Sequence, residues 1–476
     1  MPDAHLAFDL GASSGRAVVG TVEGGAVRLD EVHRFPTPLV ERPSGLAWDL
    51  GVLWAEVQAG LAAAARPGLR SVSVDAWGVD YVPLGADGQA LRDPHAYRDP
   101  RTRAVLDHVH AVLPADELYA RTGIQFMPFN TVYQVAADLA SEPETVARTA
   151  TRLLVADYLL YRLSGVAVAE RTLASTTGLL DAETGGWATD LITRLGDDPA
   201  RWSRVVDPGT VLGPALPGVL PAGWSGPPPA VVATCSHDTA AAVAAVPAPA
   251  SGPWAYLSSG TWSLVGVERA RPVLTDAARR ANVTNEAGLD GTVRLLKNRT
   301  GLWVLEECVR EWADIDGARP DYDALVAEAR AAGPAPGVLD LDASGFGERG
   351  DMRAKLRAAC AERGITVGSR GALVRLVFES LAAAYRGVLD ELAALSGERA
   401  EVLHVVGGGA QNGLLNQLTA DACGVEVIAG PAEATATGNV LVQARALGRL
   451  GGRSVRDVVR ASGDLETFRP RAEAAL

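Results

Sequence analysis

The stretch AFDLGASSGRAVVG, residues 7–20, and its echo AYLSSGTWSLVGVE, residues 255–268, decide how this chain folds. Each reads as a strand, a short turn of glycine and hydroxyl residues, and a second strand. The turn side chains are too short and too polar to hold a core. A chance match between two hairpins is the competing reading, and the elements downstream of each hairpin favour a repeat. After the first come a third strand at residues 27–35, completing a meander, a helix at about 50–65, and strands at 71–75 and 79–84. After the second, Leu373, Val377, Leu381, Tyr385, Val388, Leu392 and Leu395 keep helical spacing. A strand at 402–406, the run GGGAQNG entering a helix, a strand at 425–428 and a helix at 432–447 complete that half. Between the hairpins, residues 99–163 read as mostly helical, with breaks at Pro114 and Pro128. The Pro-rich residues 214–230 are expected over the surface or between layers rather than in a core, residues 231–234 as a buried strand, and VPAPASGP, residues 246–253, as a connector. The expectation is two α/β halves forming two lobes with a cleft between them.

Length and composition fit this. A chain of 476 residues, 48% hydrophobic, buries more than one core. Its formal charge of −13, with no basic stripe to meet a phosphate backbone, argues against a nucleic-acid partner. Of 44 basic residues only Lys297 and Lys355 are lysines, and neither lies in a Gly-x-x-x-x-Gly-Lys-Ser/Thr setting. A P-loop is therefore ruled out, and the phosphate site is to be sought in backbone turns and hydroxyls. Cys235, Cys308, Cys360 and Cys423 form no C-x-x-C pair, which argues for a reducing compartment and against a disulfide scaffold or structural zinc. The first residues show no basic n-region, and apolar runs break before about 18 residues. A cytoplasmic protein without a membrane partner is expected.

The polar motifs carry the chemistry. DLGASSGR, residues 9–16, offers backbone N–H groups and two hydroxyls in a tight turn, as phosphate contact requires; an ordinary hairpin turn is the plain alternative. Asp9 would repel a phosphate unless a hydrated Mg²⁺ stood between them. LSSGTW, residues 257–262, repeats that chemistry. GGGAQN, residues 407–412, invites comparison with a dinucleotide fingerprint, but the third glycine falls one place late, at Gly413, and Glu426 stands near the start of the next strand. It reads better as backbone that admits an adenine or its phosphates, against a helix-packing turn. SHDT, residues 236–239, sets a histidine, a carboxylate and two hydroxyls between a strand and a helix. Asp238 is there either an N-cap or a carboxylate aimed at a ligand. In DAWGVDY, residues 75–81, Asp75 and Asp80 are costly to bury unpaired, Gly78 permits close approach, and Trp77 is core or a sugar platform. YRDPRT, GIQFMPFN and LLKNRTGLW add Arg98, Asp99, Gln125, Asn130, Lys297 and Asn298, polar groups among aromatics such as a polyhydroxyl ligand would need. His108 and His110 point to different faces of a helix and read as surface, while His5, His33, His95 and His404 are isolated.

Taken in order, AFDLGASSGR, DAWGVDYV, AYRDPRT, GIQFMPFNT, CSHDTA, AYLSSGTWSL, NVTNEAG, LLKNRTGLW, HVVGGGAQNGLLNQLTADACG and VIAGPAEATATGN resemble the FGGY carbohydrate kinases nearly from end to end. The resemblance implies the duplicated ribonuclease-H-like, actin-like ATPase fold. It implies an N-terminal kinase domain, 1–246, holding the sugar site and first phosphate loop, and a nucleotide-binding C-terminal domain, 247–476. It further implies transfer of the γ-phosphoryl of ATP to the 1-hydroxyl of L-rhamnulose with Mg²⁺, DAWGVDY, GIQFMPFN and LLKN being the blocks that select this sugar. Ala12, Ser13, Ser14, Gly15 and Arg16 match the first phosphate loop, Thr261 the second, and Gly408 a nucleotide contact. Gly78, His237, Asp238, Thr239 and Asn298 match sugar-binding positions, with Asp238 the catalytic base. One departure stands out. Glu306 occupies a place where the pattern has a glutamine that contacts ATP, so it is expected to face the base or ribose. A kinase for fuculose or xylulose, or an actin-like nucleotide-driven module without a sugar acceptor, remain the rivals. Oligomeric state is left open, a monomer included.

Overall fold

The computed structural model describes residues 3–249, 251–343, 345–463 and 465–471. Two compact units emerge. Unit 1 takes Met1–Pro247, Glu268–Leu295 and Ala434–Ser462; unit 2 takes Ala248–Val267, Leu296–Glu433 and Gly463–Leu476. Residues 268–295 and 434–462 thus join unit 1 although they follow the 246/247 boundary expected from the sequence. For the second segment the cause is packing: the helix Ala434–Ala446 is buried through Val440, Leu441, Val442 and Ala444, and lies on the unit 1 sheet.

In unit 1 the strands β1 (Ala4–Leu10), β2 (Ser14–Glu23) and β3 (Ala26–Pro36) form the expected antiparallel meander. The sheet continues past β1 with Leu69–Ala76, Ala230–Ala233 and Thr210–Pro214, the first two parallel to β1 and the last antiparallel. β1 is covered on both faces, so its sequence is a near-continuous apolar run broken only by His5 and Asp9. Strand alternation sends Leu6, Phe8 and Leu10 to one face, where Phe8 lies against Gly60 of helix α1 (Leu50–Ala63). His5, Ala7 and Asp9 point to the other face. α1 begins where Asp49 accepts a hydrogen bond from Val52 N at 3.0 Å and buries Leu50, Leu53, Val57 and Leu61, one stripe at helical spacing.

Two expectations shift. The strand expected at 79–84 is Tyr81–Leu84, because Val79 has φ of +70°, outside the extended region. The largely helical run at 99–163 contains a strand, Thr151–Leu154, which pairs antiparallel with Tyr81–Leu84.

Unit 2 repeats the plan. Trp254–Ser259 and Trp262–Arg269 form an antiparallel hairpin; Val402–Val406 and Glu426–Ala429 add in parallel, and Glu466–Phe468 closes antiparallel. The helix Arg370–Ser396, capped by Ser369 and ended by Gly397 at φ of +76°, packs against Gly413–Cys423 and Tyr322–Ala331. No helix among the described residues is long and apolar enough to cross a membrane.

Candidate active site

In unit 1 the polar residues gather at the carboxyl ends of parallel strands, where open α/β sheets bind ligands. Asp9 pairs in register with Arg16 across the hairpin and with Asp75 on the parallel strand. Arg16 donates to Asp9 Oδ2 from Nε at 3.0 Å and from Nη2 at 2.8 Å. The turn itself, with Ala12 and Ser14 half-buried and Ser13 exposed, is closed by Gly11 N to Ser14 O at 2.9 Å and braced by Thr37 Oγ1 on Gly11 O at 2.9 Å. Gly15 is packed beneath Phe35. The loop residues expected to hold phosphate therefore sit on a rigid base.

Asp75 is fully buried. Burial first, then the charges of Asp9 and Asp238, push its carboxyl well above the usual range, against a hydrogen bond from Asn439. Asn439 belongs to the Ala434–Ala446 helix and is joined through Gln443 and Ser71 to His5, a buried polar chain along the face of β1 that carries Asp9. Among the described residues, Asp75 Oδ1 has no hydrogen-bond partner. Three carboxylates, Asp9, Asp75 and Asp238, interact electrostatically here with Arg16 as the cation facing them. That orphaned oxygen and the excess of negative charge suit a divalent cation. Among the described residues the three do not form a tight chelating cluster, which fits Mg²⁺ held partly through its own water.

Asp238 opens the helix Asp238–Ala244, and the N-cap position falls to His237, which makes no side-chain cap bond. Asp238 is thus not the cap. Its Oδ1 accepts from Thr239 N at 2.5 Å and Thr239 Oγ1 at 3.1 Å, while the side chain remains 30% exposed. Desolvation raises its pKa; His237 lowers it and Asp9 raises it further, with a net upward shift. A carboxylate pushed up in this way accepts a proton more readily than an ordinary aspartate. The strand end before it is clamped by Glu170, which accepts from Ser236 N at 3.0 Å and Leu173 N at 3.1 Å, and by Thr172 Oγ1, which accepts from His237 N at 3.3 Å. Burial carries Glu170 itself up to about 6. On its far side His237 meets Glu286 and Arg294, both buried.

Gly78 has a structural reason for its size. A Cβ there would stand 2.8 Å from Thr176 Oγ1, which also receives Val79 N at 3.1 Å. Next to it, Asp80 accepts Trp48 Nε1 at 2.7 Å, Trp77 Nε1 at 3.0 Å, Tyr97 N at 3.0 Å and Gln134 Nε2 at 2.7 Å. Trp77 is therefore buried, its ring 4.3 Å from that of Trp48. His95 is not isolated: it bonds Glu142, which with Asp138 is neutralised by Arg92 and Arg101. His110 is half-buried rather than free at the surface, with Tyr133 Oη 3.0 Å from its Nε2.

In unit 2, Thr261 is exposed at the tip of the second hairpin, and its carbonyl and that of Gly260 receive the amides of residues 301–303. The triple glycine lies flat on this turn. A Cβ on Gly407 would stand 2.9 Å from Ser259 O and one on Gly409 1.9 Å from Ser259 Oγ, whereas one on Gly408 would meet nothing within 4 Å. Gly408 is the open position of the three. Asn412 then caps the helix Gly413–Cys423, accepting Leu415 N at 3.0 Å. Glu306 lies half-buried on the helix Trp303–Asp316 with both oxygens on Arg319 Nη2, at 2.9 and 2.8 Å. That pair offsets the charge that made Glu306 a departure from the glutamine pattern. Asn298 is half-buried on Val293–Thr300, and its neighbour Lys297 is bound to Glu391 at 2.7 Å.

Glu170, Glu286, Arg294 and Asn439 do not stand out in the sequence as site residues. A signal exists for Arg294: a charge between Val293 and Leu295, inside an apolar strand, must have a buried partner.

Comparison with known proteins identifies the family and the fold. The sequence profile of the FGGY family of carbohydrate kinases matches residues 4–245 with its N-terminal domain and residues 255–447 with its C-terminal domain. The chain belongs to the FGGY family of carbohydrate kinases, phosphotransferases whose substrates are a sugar and ATP. Its curated relatives include rhamnulokinases. That of Bacteroides thetaiotaomicron is 40% identical, covering 100% of this chain and 97% of its own. That of Klebsiella pneumoniae is 42% identical, covering 99% and 95%. Among solved structures, gluconate kinase from Lactobacillus acidophilus aligns with a TM-score of 0.80 at 15% identity, over 100% of this chain and 95% of that one. The ligand-bound xylulose kinase of the same organism gives 0.78 at 15% identity, over 99% and 95%. At such identities the structures establish a shared fold, a mixed α/β two-domain kinase.

Proposed function

We propose that the protein transfers the γ-phosphoryl group of ATP to the 1-hydroxyl of L-rhamnulose, giving L-rhamnulose 1-phosphate. The observation that carries this reading is Asp238, a partly exposed carboxylate with a raised pKa at a rigid strand-to-helix junction beside two further carboxylates. The choice of sugar is supported by identities of 40% and 42% with rhamnulokinases over nearly the whole chain.

Phosphoryl transfer asks a protein for positioning and charge neutralisation more than for covalent help. Asp238 takes the proton of the acceptor hydroxyl as the oxygen attacks phosphorus, a contribution typically worth ~10²–10⁴ in rate. His237, Thr239, Gly78 and Asn298 bind the sugar. Ala12 to Arg16, Thr261 and Gly408 hold the nucleotide without calling on a lysine. Glu306 is assigned to the nucleotide side, its charge offset by Arg319. Mg²⁺, when bound at Asp9 and Asp75, would supply charge neutralisation on the phosphates. Four free buried cysteines support a cytoplasmic, reducing setting.

A coupled assay with ATP and Mg²⁺ against a panel of L-rhamnulose, L-fuculose and D-xylulose tests this. L-rhamnulose should give the highest kcat/KM. Faster turnover of another ketose overturns the choice of sugar, and ATP hydrolysis indifferent to every sugar overturns the kinase reading.

A further inference from the structure

His237 lies between two kinds of neighbour. Toward Asp238, Nε2 is 3.5 Å from Oδ1. On the opposite side, Nδ1 is 3.1 Å from Nη2 of Arg294 and 3.4 Å from Oε2 of Glu286. Arg294 is wholly buried on Val293–Thr300, and Glu286 nearly so on Thr284–Ala287. Arg294 Nη2 is also 3.1 Å from Glu286 Oε2, and its Nε donates to Ala287 O at 3.1 Å.

A guanidinium has donors only and does not deprotonate in proteins. Nδ1 facing Arg294 must therefore offer a lone pair, and the proton of a neutral imidazole then resides on Nε2. The opposite tautomer would set an N–H of His237 against an N–H of Arg294 at 3.1 Å. Glu286 alone would favour Nδ1–H, but its Oε2 is nearer Arg294 and compensates that buried charge. Burial pushes Glu286 up, yet the Arg294 guanidinium and His237 outweigh it and hold the carboxyl below its usual value.

We infer that Arg294, held by Glu286, is a positioning residue that locks His237 with its lone pair on Nδ1 and its proton on Nε2, so that an N–H donor faces Asp238. The inference rests on the reading of SHDT as the acceptor site. With a donor beside it, the Asp238 carboxylate is oriented for the attacking hydroxyl; the other tautomer would put two acceptors face to face and turn it away.

The first test does not involve activity. Ring ¹⁵N spectra of the full protein at about pH 9, where imidazoles are neutral, identify the His237 tautomer by comparison with His237→Asn. The Nε2–H form is expected, and a dominant Nδ1–H form overturns the inference. The second compares Arg294→Met with the double variant Arg294→Met, Glu286→Gln. The single variant leaves a buried carboxylate alone and should lose stability. The double variant removes both charges and should regain thermal stability, while kcat/KM for L-rhamnulose stays down by about 10-fold or more, as when a partner that fixes a histidine tautomer is lost, with KM for ATP unchanged. Wild-type kcat/KM in the double variant overturns the positioning role. If wild type shows the Nε2–H tautomer but does not phosphorylate L-rhamnulose, the assignment of the sugar fails and the lock stands.

Discussion

The two hairpins share a plan and differ in charge. In unit 1 the next-to-last pair of the hairpin is Asp9 with Arg16, and Asp9 is matched in parallel by Asp75. In unit 2 the equivalent pair is Ser258 with Leu264, and Ser258 is matched by Val406. One strand order thus holds acids in one copy and small or apolar residues in the other. Among the described residues, every carboxylate pushed above its usual value, Asp75, Asp80, Asp157, Glu170 and Asp238, belongs to unit 1. Unit 2 has instead a turn with backbone open at Gly408. Acidic groups in a desolvated setting suit proton and cation work; uncharged backbone suits polyphosphate, which carboxylates would repel. The two hairpins share a backbone plan, and the residues at their strand ends set their chemistry apart.

The largest break of this asymmetry is Asp238→Asn. Turnover should fall by at least ~10²-fold, while calorimetry shows ATP binding retained. Turnover near that of wild type would leave Asp238 no more than the first residue of a helix.

Next comes the uncharged copy. Gly408→Ala adds a methyl that meets no described residue within 4 Å outside its own stretch of chain, so the melting temperature should not move. If the nucleotide approaches there, KM for ATP rises by about 10-fold, or 1.4 kcal/mol, and KM for the sugar does not. An unchanged KM for ATP removes Gly408 from the nucleotide site.

The smallest effect concerns stability and pH. Burial carries Asp80 from 3.8 to about 6, so between about pH 4 and 6 the folded protein keeps a proton that the unfolded chain releases. Stability should fall as pH rises through that window, by ~3 kcal/mol at most from this residue. Asp80→Asn cannot titrate. Whatever it costs at pH 4, its melting temperature should fall less between pH 4 and 6.5 than that of wild type, and parallel curves would mean that Asp80 is ionised throughout.

Local signals were readable in the chain. Alternation and helical spacing marked most strands and helices, and the polar turns marked both hairpins, because short-range sterics and the exclusion of polar groups from a core act on neighbouring residues. The scarcity of lysine likewise excluded a P-loop, since that chemistry needs one residue type in one place. Asp238 and the triple glycine were legible for the same reason. Asp80, Trp48 and Gln134 meet only in space, and so do Arg294, Glu286 and His237, or Asn439 and Asp75. Gln134 is 54 positions from Asp80, Arg294 is 57 from His237, and Asn439 is 364 from Asp75, separations at which no periodicity along the chain pairs one residue with another.

What the sequence determined by itself is the order of elements, the two hairpins and the residue types available for chemistry. The tertiary structure decided which of those residues lie together and in which direction burial and charge shift their carboxyls. It returned the Ala434–Ala446 helix to unit 1, set Asn439 on Asp75, and let burial and neighbouring charge raise Asp75 and Asp238. Desolvation and Coulomb interaction depend on distances through space, and no spacing along the chain encodes them.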